Sequence, residues 1–135
     1  MDWTAWDRSL ETGHAPMDAE HRQMAALLSG LREAVAQGAG RSRCADQLDR
    51  LIAHAEAHFE FEQRLMAEHH YPKRRQHSDE HAMLLRQARD YRQSFDVDSA
   101  EGRAALLRFP EVWLEFHILF SDKDLARFLA TPRQD

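Results

Sequence analysis

The stretch HSDEH, His77 to His81, admits two readings. As H-x-x-E-H it is a zinc-peptidase signature with Glu80 as general base, and it needs a large enzyme scaffold with a substrate cleft. As H-x-x-x-H it is two imidazoles one helical turn apart, with Glu80 a bystander, and it needs only a helix. The five letters fit both. The residues around them decide.

Those residues favour helix throughout. Valine, isoleucine and threonine total only eight of 135, while alanine, leucine, glutamate, arginine and glutamine dominate. Strand-type alternation is absent from the sequence pattern, so the expected fold class is all-α. Pro16 and Asp18 open a first helix, with Asp18 as the expected N-cap. Its stripe is Met17, His21, Met24, Leu28, Leu31 and Val35, at spacings of three and four. The run GAGRS, Gly38 to Ser42, ends it. A second helix carries Leu48, Leu51, Ala55, His58, Glu62 and Leu65 and stops at Tyr71-Pro72, because a residue before proline is pushed out of the helical region. A third carries His77, His81, Leu84, Ala88 and Tyr91. The fourth carries Leu106, Trp113, His117 and Phe120 as buried candidates, with Pro110 inside it expected to bend or break it. Helices are thus expected over about 17–37, 42–69, 73–93 and 100–130. Residues 1–16 form an N-terminal arm in which Trp3, Trp6 and Leu10 are available for packing. Four amphipathic helices with short connections imply one domain, an antiparallel up-down-up-down four-helix bundle.

Composition narrows the function classes. A formal net charge of −5 disfavours nucleic acid as the main partner, and Lys73, Arg74 and Arg75 read as a solvated helix entrance. Cys44 is the only cysteine, so an intramolecular disulfide and thiolate-based zinc or iron–sulfur sites lack their residues. MDWTAWDRSL has no basic start followed by an apolar run, so no signal peptide is expected. No window reaches the length of a membrane span. The default expectation is a cytoplasmic protein. The unusual feature of the composition is nine histidines.

Several of these histidines fall on stripes that should face inward. His58 and Glu62 are four apart on the second helix, and His77 and His81 four apart on the third. Residues at that spacing share a face. His21 and His117 join them from the first and fourth helices. Each unsatisfied buried polar group costs roughly 1–3 kcal/mol. Metal cations at one interior point would remove that cost for all of them. A single histidine on an apolar face is more often an ordinary core residue, but ligand-type residues on four separate stripes are improbable as independent accidents. Imidazole and carboxylate suit iron, zinc, copper or nickel. Five imidazoles and two carboxylates are too many for one ion and fit two ions that share the carboxylates. The second carboxylate is Asp122, five residues after His117. Five α-helical steps leave the two about 140° apart. A helix end or a π-type bulge is therefore expected between them.

The chain resembles the bacterial hemerythrins over nearly its whole length. The resemblance rests on D-x-x-H at Asp18 to His21, HFEFEQRLM at His58 to Met66, H-x-x-x-H at His77 to His81 and WLEFHILFSD at Trp113 to Asp122. It implies a four-helix protein that binds dioxygen at a non-heme di-iron centre and is not an enzyme. It implies His77, His81 and His117 as terminal ligands of one iron and His21 and His58 of the other. Glu62 and Asp122 would bridge the two irons, with an oxo or hydroxo group as third bridge. The iron held by His21 and His58 is then one ligand short, and oxygen binds there. By the same resemblance Trp113, Leu114, Met24, Phe59 and Ile118 line a dry oxygen pocket, although each also reads as plain bundle core. His14 stands where the family usually has an aliphatic residue, and His54 where it often has tyrosine. Either is a candidate for orienting a ligand imidazole.

Rival functions fit less of the chain. The peptidase reading leaves His21, His58, Glu62, His117 and Asp122 without a role. Di-iron oxidases of the ferritin type use Glu-x-x-His twice on facing helices, and here only Glu11 to His14 matches, in the arm. A sensing module for oxygen, redox state or nitric oxide is the third class. No further domain follows the bundle in this sequence, so carriage, storage or delivery is the expectation, with the protein recipient unknown.

Overall fold

The computed structural model describes residues 8–131. Trp3 and Trp6 lie outside them. A short 3-10 turn, Arg8–Leu10, precedes α1, Ala15–Ala36. Then follow α2, Arg41–Glu68, α3, Arg74–Ser94, and α4, Ala100–Phe116. A π-helical segment, His117–Asp122, continues α4 into α5, Lys123–Ala130. The described residues contain no strand, and the helices form a four-helix bundle in which α4, the π segment and α5 act as one rod.

The connections 37–40, 69–73 and 95–99 are short, and local chemistry explains each stop. Gly38 takes a φ of +72°, which lets the Ala39 N–H reach back to the Ala34 carbonyl at 2.9 Å. His70 does the same at the end of α2 with a φ of +52°, and Tyr71 N–H bonds to the Met66 carbonyl at 3.0 Å. At the start of α4, Ser99 Oγ accepts from Gly102 N–H at 2.9 Å. Arg103 fastens this end of the bundle. Its guanidinium donates to the carbonyls of Val35 at 2.8 Å, Val97 at 3.0 Å and Ala39 at 3.2 Å.

Three expectations need correction. Asp18 is not the N-cap of α1. His14 holds that position, its Nδ1 accepting from Met17 N–H at 3.3 Å. The Asp18 carboxylate instead accepts from the Thr12 N–H and hydroxyl, both at 2.8 Å, and ties the arm to α1. Of the two outcomes expected at Pro110, the break does not occur, since α4 runs through it. Phe120 is not buried but 60% exposed, because the wide π turn carries it off the inward face.

The apolar core is layered along the bundle. A central cluster contains Leu10, Met24, Phe59, Leu84, Trp113, Leu114 and Ile118. A smaller one at the far end contains Met17, Met66, Tyr71 and Leu125. Between them, on every long element, lie polar residues: His21 on α1, Glu62 on α2, His77 and His81 on α3, His117 and Asp122 on the π segment. α1 packs on α2 and on α4, and α2 on α3. The α3 and α4 backbones stay further apart. Between them is a groove of about 700 Å³ whose rim carries Met83, Val112, Phe116 and Phe120.

Candidate metal centre

Seven side chains predicted as ligands meet in the polar layer: His21, His58, Glu62, His77, His81, His117 and Asp122, each at most 4% exposed. His58 with Glu62, and His77 with His81, are brought together by regular helix, four residues apart. His117 and Asp122 are five apart and would diverge on an α-helix. The chain is π-helical over this stretch, as the spacing required, so both side chains point inward.

Their donor atoms fall into two groups that share both carboxylates. Glu62, His77, His81, His117 and Asp122 form one group, and His21, His58, Glu62 and Asp122 the other, with donors within 4.8 Å of one another in each. The carboxylates divide their oxygens between the groups. Glu62 Oε1 lies 2.8 Å from Nε2 of both His77 and His81, while Oε2 lies 2.6 Å from His58 Nε2. Asp122 Oδ1 lies 3.0 Å from His117 Nε2 and 3.3 Å from His77 Nε2, while Oδ2 lies 2.9 Å from His21 Nε2.

These close approaches do not add up to a satisfied hydrogen-bond network. Glu62 Oε2 and Asp122 Oδ1 are buried without any hydrogen bond. All five imidazoles present Nε2 to the interior, and Nε2 pairs meet at 3.1 Å between His21 and His58 and again between His81 and His117. Two neutral imidazoles meeting Nε2 to Nε2 can share one proton between them, which leaves the remaining lone pairs unused. Donors that crowd one another and point between their neighbours fit cations held at the two shared points.

The electrostatics agree. Burial and the neighbouring Asp122 both work to raise the Glu62 carboxyl, yet the facing His58 and His117 hold it well below the ordinary range. Burial likewise opposes ionisation of Asp122, and His117, His21 and His58 overcome it. On the imidazole side, burial lowers His58 but the Glu62 charge, with Asp122 and Glu20, raises it to about 11. Burial also opposes protonation of His117 and His77, and the two carboxylates raise both. For His81 burial prevails and lowers it. Two buried anions thus demand positive charge, which protons supply in part and cations would supply in full.

Behind the seven donors lies a second set of contacts. Glu20 Oε1 is 3.4 Å from His58 Nδ1. His54 Nε2 meets the Glu20 backbone carbonyl at 3.1 Å rather than a ligand. His14 is the cap of α1 and touches none of the seven through a hydrogen bond. Glu80 is not the bystander that the H-x-x-x-H reading expected, for its carboxylate accepts from His117 Nδ1 and from Ser121 Oγ. The five residues expected to line a dry pocket are all buried in the central apolar cluster: Met24, Phe59, Trp113, Leu114 and Ile118. Phe59 lies flat on the His81 ring, centroids 4.2 Å apart, and edge-on to His117 at 5.3 Å. The Trp113 indole N–H is engaged by the Leu84 carbonyl at 2.7 Å.

Comparison with known proteins points the same way. The family model described as the hemerythrin HHE cation binding domain matches residues 12–129. A bacteriohemerythrin of Ralstonia nicotianae is 31% identical over 96% of this chain and 91% of its own. One of Stenotrophomonas maltophilia is 30% identical over 93% of this chain and 81% of its own, and one of Pseudomonas aeruginosa 28% identical over 90% and 78%. A cation-binding family model that spans the bundle and all seven donors, with relatives aligned along almost the full length, means that the chain belongs to the hemerythrin family.

Proposed function

We propose that the chain binds dioxygen reversibly at two non-heme irons and serves oxygen transport, storage or delivery rather than catalysis. The single observation that carries this reading is the unequal sharing of the centre. Both carboxylates face both groups, but one group adds three histidines and the other only two. The group of His77, His81 and His117 would give one cation five protein donors, and the group of His21 and His58 would give the other four, leaving it one ligand short of its neighbour. Two ferrous ions there would supply the two electrons that hold dioxygen reversibly.

The protein's own residues do the rest. Glu62 and Asp122 hold the pair together from α2 and the π segment, on elements packed against opposite sides of the polar layer. Met24, Phe59, Trp113, Leu114 and Ile118 exclude water on the side of the central cluster. Trp113 presents no free proton donor, since its N–H is committed to Leu84. A dry surround without a donor favours release of oxygen over its reduction. The histidine-rich ligand set supports the same conclusion, because fewer anionic ligands stabilise high-valent iron less well.

The test is an absorption spectrum of the iron-loaded, anaerobically reduced full chain, taken before air, in air and after oxygen is removed. A visible band that appears with oxygen and vanishes on its removal, over repeated cycles, is expected. Sustained oxygen consumption with an added reductant, or a spectrum indifferent to oxygen, would contradict carriage.

A further inference from the structure

We propose that Glu80, braced by Ser121, is a positioning residue that fixes the aim and donor strength of His117 and so sets the affinity of the three-histidine half of the centre. This rests on the two-cation reading above. Glu80 Oε1 accepts from His117 Nδ1 and lies 2.8 Å from Ser121 Oγ, and its Oε2 lies 3.0 Å from the same hydroxyl. A neutral imidazole carries its proton on one nitrogen only. Donating that proton from Nδ1 to a carboxylate leaves Nε2 as the lone-pair atom, here the one 3.0 Å from Asp122 Oδ1. The same bond pulls the Nδ1 proton towards the carboxylate, which leaves more electron density on the ring and makes Nε2 a stronger lone-pair donor.

The arrangement is selective. Nδ1 of His21, of His58 and of His81 has no hydrogen-bond partner, so nothing comparable fixes those rings. Glu20 lies 3.4 Å from His58 Nδ1, an ion-pair distance without a hydrogen bond. Among the described residues, His117 is thus the one histidine of the centre whose Nδ1 is hydrogen-bonded to a carboxylate. Ser121 precedes Asp122, so Glu80 grips from α3 the very segment that carries both His117 and Asp122. It does so across the gap between α3 and α4, with its side chain 33% exposed at the groove. α3 and α4 are also tied by the bond from the Trp113 indole N–H to the Leu84 carbonyl.

The experiment titrates cobalt(II), without air, into the metal-free full chain as wild type, Glu80→Ala, Glu80→Gln and Ser121→Ala. Visible ligand-field absorption follows each binding step, and circular-dichroism melts of the metal-free proteins run alongside. Wild type is expected to take up cobalt in two steps. Glu80→Ala is expected to weaken one step by ~10–100-fold, the usual cost of losing such a partner, to change its absorption bands and to leave the other step alone. Glu80→Gln can still accept from Nδ1–H, so it should recover most of the affinity while its bands stay shifted. A lower melting temperature in Glu80→Ala with both cobalt steps and both spectra unchanged would overturn the proposal, since that is what mere packing gives. If Glu80→Ala does not fold, unchanged affinities and spectra in both Glu80→Gln and Ser121→Ala overturn it equally. Wild type that takes up no cobalt would remove the centre itself, and this role with it. Two normal wild-type steps with an indifferent Glu80→Ala would remove this role alone.

Discussion

His77 serves one half of the centre, and Glu62 serves both. That difference is measurable. His77→Ala should lose the cation of the three-histidine half and keep the other, with an affinity loss larger than the ~10–100-fold typical of an outer partner. Glu62→Ala removes an oxygen from each half and should lose both cations. Metal analysis after desalting separates the two patterns; equal content in both variants would contradict the shared carboxylate. That His58 and Glu62 share a face, and likewise His77 and His81, was legible in the sequence because regular spacing puts i and i+4 together. The contacts of Glu80 and Glu20 were not. Each adjoins a ligand in sequence, at His81 and His21, and so sits about 100° off the ligand face. Which neighbour such a side chain meets depends on how the helices pack, and spacing alone does not hold that information.

At the level of elements, the five-residue gap between His117 and Asp122 demanded an irregular turn, and the π segment supplies it. The same turn misplaced Phe120, since three residues after His117 is inward on an α-helix and outward here. The start of α1 was misread for a local reason. Asp18 is the better cap by type, but His14 lies where the chain leaves the extended region, and its Nδ1 takes the capping bond. That bond needs an unprotonated ring. Burial lowers the His14 pKa from 6.5, with Asp18 opposing and His69 assisting. A folded-state value below the unfolded one means a contribution present above pH 6.5 and lost as pH falls through the lowered value. His14→Ser keeps a capping oxygen at every pH. On acidification across this range, metal-free wild type should lose up to ~1 kcal/mol relative to His14→Ser, a ceiling because solvent screens a part-buried ring. Urea unfolding of both proteins at several pH values checks it. A constant difference between them would show that the cap does not titrate.

For the whole molecule, the polar layer is a break in the core that bound cations would complete. The bundle was legible from periodicity, since apolar stripes at spacings of three and four leave few other packings. The gap between α3 and α4 was not, because distances between helices follow from side-chain size and fit at the contact. A layer of buried carboxylates and imidazoles makes stability depend on metal. A cation held at ~1,000 times its dissociation constant contributes about 4 kcal/mol per site. Chelation should therefore lower the melting temperature of wild type markedly and that of His77→Ala less. Equal shifts, or none, would mean that the layer is satisfied without metal.

Anomalous diffraction from crystals of the iron-loaded protein locates the cations directly. Two peaks are expected in the polar layer, one bonded to Nε2 of His77, His81 and His117, the other to Nε2 of His21 and His58, with Glu62 and Asp122 reaching both. A single peak, or peaks bound elsewhere on the surface with these seven side chains bare, would contradict a shared two-cation centre.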